Sequence, residues 1–120
     1  MTNIEIGKKG EEIAEKYLKR HGYEIIERNF RSKRWGEIDI VAIEKDTLVF
    51  VEVKTREGTK YGEPVEAVTP FKLRALERTG QYYQAEHPNL PEALRIDVVA
   101  IMLDKNTNGP LKIQLFKDAR

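Results

Sequence analysis

The chain reads as an α/β fold, a mixed β-sheet flanked by helices in the order α-β-β-β-α-β-β. Apolar residues recur at helical spacing in two stretches, each with its own start and stop signals. Around them lie Ile- and Val-rich runs of strand length bounded by turn residues. At 120 residues the chain suits one domain, 1–120, built on a single core.

The first helix is predicted from about Ile6 to His21, with Ile13, Ala14, Tyr17 and Leu18 on its apolar stripe. Lys19, Arg20 and His21 suit the negative end of the helix dipole, and Gly22 is a natural stop. Gly7 and Gly10 weaken a helix and point to close approach of another element. Glu11 lies on or beside the buried stripe, either as an early-turn acid favoured by the dipole or as a functional carboxylate. A strand follows from Tyr23 to Phe30. Arg28, Arg31, Lys33 and Arg34, interleaved with Phe30 and Trp35, make the densest basic run, with no acid from Arg28 to Trp35. That run is either a solvated loop or a phosphate-contacting segment with an aromatic ring able to stack on a base or sugar.

Gly36 to Arg56 reads as two strands joined by a tight turn at Lys45-Asp46. This register sets Ile38 against Val53, Ile40 against Val51 and Ala42 against Val49 on one face. On the other face Val41 meets Phe50 and Ile43 meets Leu48, with Asp39 opposite Glu52 and Glu37 opposite Lys54. Facing carboxylates repel, and half-buried ones neutralise or find a cation. Lys54 balances one, and a hard divalent ion such as Mg²⁺ or Mn²⁺ would balance the rest. The bland alternative is a salt-bridge patch at a sheet end.

Glu57 to Ala67, with two glycines and a proline, is expected to be a loop long enough to close over a substrate. Thr69 as N-cap and Pro70 at the first position open the second helix, which carries Leu73, Leu76, Tyr82 and Tyr83 and ends at His87-Pro88. Lys72, Arg74 and Arg78 either solubilise this helix or touch phosphate. Asn89 to Ala93 is a connector, Arg95 to Leu103 a buried strand, and Leu111 to Phe116 an edge strand. Asp97 is assigned to Arg95 in preference to a metal, and His21 and His87 are assigned as helix caps.

A net charge of +1 neither demands nor excludes a nucleic-acid partner. The absence of cysteine excludes disulfides and thiolate metal sites. No apolar run approaches a membrane span, and Met1 to Glu5 does not resemble the start of a signal peptide, so the cytoplasm is the expected compartment.

Asp39, then Glu52-Val53-Lys54 on the next strand, with Glu11 on the preceding helix, resembles the PD-(D/E)-x-K nuclease superfamily. Within it the chain is most similar to the bacterial YraN-like family, grouped with Holliday-junction resolvases. The matching residues are Gly7 with Gly10-Glu11, Asn29-Phe30-Arg31, Gly36-Glu37-Ile38-Asp39, Phe50 to Arg56, Ala67 to Pro70 with Lys72, and Arg95 to Val98. Ile38 stands where the superfamily motif has proline. The resemblance implies a restriction-endonuclease-like sheet and a metal-dependent endonuclease that hydrolyses DNA, branched DNA included. It implies Mg²⁺ (or Mn²⁺) on Asp39 and Glu52, with Glu11 completing the site directly or through water. Lys54 would orient or deprotonate the attacking water, and Glu37 would tune Lys54 or join the metal shell. Arg31, Lys33, Arg34, Arg56 and Lys72 are the candidate nucleic-acid contacts, and paired sites on a junction would suit a homodimer. The alternatives are a non-catalytic nucleic-acid-binding module on the same fold, or a protein-interaction domain.

Overall fold

The computed structural model describes residues 1–58 and 62–120. Helix α1 (Asn3–Arg20) precedes three strands, β1 (Glu24–Ser32), β2 (Gly36–Glu44) and β3 (Thr47–Glu57). A 3₁₀ turn (Pro64–Ala67), helix α2 (Pro70–Glu86), and strands β4 (Ala93–Leu103) and β5 (Pro110–Phe116) complete the order expected from the sequence. The five strands form one sheet in the order β1-β2-β3-β4-β5. Only β3 and β4 run parallel, joined by the crossover through α2.

Each helix covers one face of this sheet. Ala14 and Leu18 of α1 bury Ile40, Ala42, Val49, Val51, Val99 and Ile101. Leu76 and Tyr83 of α2 bury Ile38, Val41, Leu48, Phe50 and Ile96. Helix α1 starts earlier than its apolar stripe suggests because Thr2 and Glu5 form a reciprocal cap: Glu5 accepts from the Thr2 amide at 2.8 Å and Thr2 accepts from the Glu5 amide at 3.1 Å. Thr69 caps α2 by accepting the Lys72 amide, with Pro70 at the first position. Both histidines cap helices, His21 on the Tyr17 carbonyl and His87 on that of Tyr83.

The basic run differs from expectation, because β1 extends through Ser32 and carries Arg28 and Arg31 on a strand. The expected loop from Glu57 to Ala67 contains the 3₁₀ turn at Pro64–Ala67, and its residues 59–61 lie outside the described residues. Among the described residues, no helix is long and apolar enough to cross a membrane.

The central hairpin keeps the expected register only from the turn to Ile40 and Val51. Beyond that pair the strands part: β2 continues on β1, with Phe30 facing Ile38 and Arg31 facing Glu37. Strand β3 continues on β4 as far as the Glu57–Leu103 pair. The expected pairings of Asp39 with Glu52, Glu37 with Lys54 and Ile38 with Val53 therefore do not form a ladder. A side chain takes the ladder's place, since the Asp39 carboxylate accepts the Val53 amide at 2.8 Å. The backbone also rolls there, because Ile40 packs under α1 while Ile38 packs under α2. Across the strand pair Asn29 has a left-handed φ of 55°, a conformation asparagine tolerates better than most residues. The sheet thus forks at Asp39.

Candidate active site

The fork collects the acids. Burial first, and the Glu52 charge second, push the Asp39 carboxyl up to about 7. Glu52 alternates with Phe50 onto the α2 side, where the Lys72 ammonium lies 3.6 Å from it. The cation beside this pair is thus Lys72, from the first turn of α2, and not the expected Lys54. Helix α2 leaves β3 as a crossover to the parallel β4, so its N-terminus returns near the C-terminal end of β3.

Glu11 approaches from α1. Its pKa is raised by burial and then by the Asp39 charge, opposed by hydrogen bonds from Arg28 and Asn29. The Arg28 contact is 3.4 Å, and the same guanidinium lies 3.8 Å from Glu15. Gly10 lets α1 come this close: a Cβ there would run into the Thr55 side chain. Gly7, the other glycine that points to close approach, has open space around it among the described residues. Glu11, Lys54 and Arg56 line an open groove of about 540 Å³ between α1 and the free end of β3. The buried Nε atoms of Arg28 and Arg56 have no hydrogen-bond partner among the described residues.

The sequence model of Uncharacterised protein family UPF0102 matches residues 10–101. The chain belongs to that family. It is 45% identical to the UPF0102 protein of Caldicellulosiruptor saccharolyticus over 119 residues, 99% of each chain. It is 48% identical to that of Rhodococcus opacus over 118 residues, 98% of this chain and 97% of the relative. Identity to the Geobacter metallireducens protein is 50% over 101 residues, 84% of this chain and 82% of the relative. UPF0102 is the YraN family that the motifs resemble, and its matched span covers Glu11, the fork and α2.

In this UPF0102 chain the expected site residues divide into neighbourhoods. Asp39, Glu52 and Lys72 meet at the fork. Glu11, Lys54 and Arg56 line the α1 groove, tied to the fork by the charge coupling of Glu11 to Asp39. Glu37 stands apart, paired with Arg31 at 3.2 Å with both side chains largely exposed. Lys33 and Arg34 stand in the β1–β2 turn, with Arg34 over the Trp35 ring. Asn29, one of the residues that carry the resemblance, also lies beside the site: it lowers the Glu11 pKa, and its left-handed backbone stands across from Asp39. Asp97 is a structural acid, 0% exposed, bonded to Arg95 at 2.8 Å and to the Tyr23 hydroxyl at 2.7 Å.

The donor set at the fork fits a hard divalent ion in one respect: it offers two carboxylates whose charges disfavour each other, a repulsion that a cation would relieve. Among the described residues, no three His, Cys, Asp or Glu side chains group closely enough to hold an ion together. An ion on these two carboxylates alone would have to take its remaining ligands from water, as Mg²⁺ commonly does.

Proposed function

We propose that this protein hydrolyses phosphodiester bonds of DNA, branched DNA included, using Mg²⁺ or Mn²⁺ held by Asp39 and Glu52. The observation that carries the reading is the pair of carboxylates at the fork, Asp39 held by the Val53 amide and Glu52 flanked by the Lys72 ammonium at 3.6 Å. Facing acids at a half-buried site destabilise a fold, and a catalytic role for a divalent ion explains their presence. When bound, such an ion lowers the pKa of water and polarises a phosphoryl oxygen.

The chain's own residues supply the rest. Asp39 is held by the Val53 amide, which fixes its carboxylate relative to the backbone of β3. Lys54 and Arg56 follow Glu52 at alternate positions of β3, so they bring fixed positive charge to the side of the strand that carries the acid pair, where charge develops on a phosphate in the transition state. Lys72 offsets part of the negative charge of the acid pair. Glu11 acts on the site through water, oriented by Arg28 and Asn29. Two such sites on one junction suit a homodimer.

Incubation with supercoiled plasmid and four-way junctions, with and without Mg²⁺, tests this reading. Cleavage is expected only with the ion, and Asp39→Asn is expected to lose it by at least about a hundredfold. An Asp39→Asn protein that cuts as well as wild type refutes the assignment. A second reading, a non-catalytic nucleic-acid-binding module, is favoured by Glu11 being engaged with Arg28 outside any three-acid group. It requires salt-dependent DNA binding with neither Mg²⁺-dependent cleavage nor a calorimetric signal for metal.

A further inference from the structure

A second groove, between the β1–β2 turn and the C-terminal half of α2, lies outside the acid site. It encloses about 610 Å³, and Phe30, Arg31, Lys33, Arg34, Trp35 and Tyr82 line most of it. Glu86 also lines it, with its charge acting on the Tyr82 hydroxyl, so three cations share the groove with one carboxylate. Arg31 shares its charge with Glu37, whereas Arg34 lies over the Trp35 ring, 4.9 Å from its centroid.

Two large rings stay open here, Trp35 at 37% and Tyr82 at 38% exposure. The backbone holds Trp35 in place: Ser32 Oγ accepts the amides of Arg34 and Trp35 at 3.2 and 3.1 Å. The Thr79 hydroxyl lies 2.8 Å from the Trp35 carbonyl, tying the turn to α2. Phe30 braces Tyr82 from below, with ring centroids 6.5 Å apart. A pinned pair of open rings beside guanidinium and ammonium groups has the makings of a stacking platform with phosphate contacts.

On the reading that the protein acts on DNA, we infer that this groove takes an unpaired base of a single strand. The base stacks on Trp35 and Tyr82, and its flanking phosphates meet Arg31, Lys33 and Arg34. A duplex presents only phosphates and base edges, because its π-faces are already stacked; an unpaired base alone offers a face to these rings. The volume is that of a pocket for a molecule of nucleotide size, within the usual ~300–1,000 Å³. Helix α2 links the groove to the acid pair. From Tyr82 to Lys72 its rise is roughly 15 Å, and from Trp35 to Asp39 an extended chain covers about 13 Å. A strand stacked on Trp35 thus reaches the acids about four stacked nucleotides away.

Trp35 is the single tryptophan of the chain, so its fluorescence reports on this groove alone. The full-length protein, with EDTA present to prevent cleavage, is titrated with oligothymidylate and with a blunt duplex, while anisotropy of labelled DNA follows binding. Oligothymidylate is expected to quench Trp35 and the duplex to leave it unchanged. Tyr82→Ala is expected to weaken single-strand binding about tenfold with duplex binding intact, and Trp35→Phe to retain most of the affinity that Trp35→Ala loses. Tyr82 lies on the outer surface of α2, so its replacement spares the core if circular dichroism melting is unchanged. Single-strand binding without quenching, or equal loss on both DNAs, overturns this inference while leaving the nuclease reading standing. Indifference to both DNAs at low salt overturns both.

Discussion

Asp39 shows how one side chain couples fold to chemistry. Its carboxylate replaces a carbonyl on the β3 ladder, ends the hairpin, and sits where burial and the Glu52 charge disfavour ionisation. The stability consequence has a definite sign. A carboxyl raised from the ordinary ~3.9 to about 7 binds its proton more tightly folded than unfolded. Its stabilising contribution is complete below about pH 4 and disappears as pH rises through about 7. Asn still accepts the Val53 amide and adds a donor toward Glu52, without the charge. Asp39→Asn is therefore expected to be more stable than wild type by on the order of 2 kcal/mol at pH 8, with the difference vanishing near pH 4. Urea denaturation in EDTA across that range measures it, and a variant less stable at pH 8 than at pH 4, relative to wild type, contradicts the assignment. Lys72, half exposed, offsets only part of the penalty.

At the scale of elements, the helices and strands were legible because periodicity and caps are local signals. Thr69-Pro70, the Lys45-Asp46 turn and the Ile/Val runs all stand where the sequence placed them. The fork was not legible, because alternation assumes a continuous ladder, and a side chain accepting from the neighbouring strand breaks it. That error carried Glu37 toward Lys54, when β1 in fact takes Glu37 and α2 brings Lys72. A parallel β3–β4 pair, if foreseen, would have placed the start of α2 near Glu52. The two helix glycines were marked alike, and the structure separates them. Adding a Cβ at Gly10 drives it into Thr55, whereas at Gly7 it meets nothing within 4 Å. Ala is favoured over Gly in a helix by about 1 kcal/mol, while overpacking costs roughly 1–3 kcal/mol. Gly7→Ala is expected to raise the melting temperature and Gly10→Ala to lower it. Pairing Gly10→Ala with Thr55→Ala is expected to recover most of the loss, and calorimetry of the three proteins decides the matter. Equal effects at the two glycines would show that α1 does not seat on Thr55.

Across the whole molecule, two acid sites on one sheet have opposite degrees of satisfaction. Asp97, on β4, accepts from Tyr23, from Arg95 and from the Asp118 amide, at 2.7, 2.8 and 2.9 Å. Arg95 in turn reaches Glu44 at 2.7 Å, and Lys117 reaches the same carboxylate at 2.8 Å. This network joins the segment after α1, the end of β2, β4 and the C-terminal residues, and every charge in it has a partner. At the fork, like charges face each other, and nearby Arg28 and Arg56 each keep a buried donor without an acceptor among the described residues. A satisfied buried network is specific and rigid, whereas an unsatisfied one has affinity held in reserve for something that binds. The same chemical change should therefore act in opposite directions at the two sites. Asp97→Asn removes the charge that holds Arg95 in a buried setting and is expected to destabilise by about 2–4 kcal/mol at pH 8. Asp39→Asn is expected to stabilise under the same conditions. Added Mg²⁺ should narrow the second difference by stabilising wild type alone, and should leave the first unchanged. Denaturant midpoints of wild type and both variants, with Mg²⁺ and with EDTA, read all of this in one experiment. A loss of stability at both positions, indifferent to the ion, would mean that the fork is a second structural ion pair and that the fold holds no site for a divalent cation.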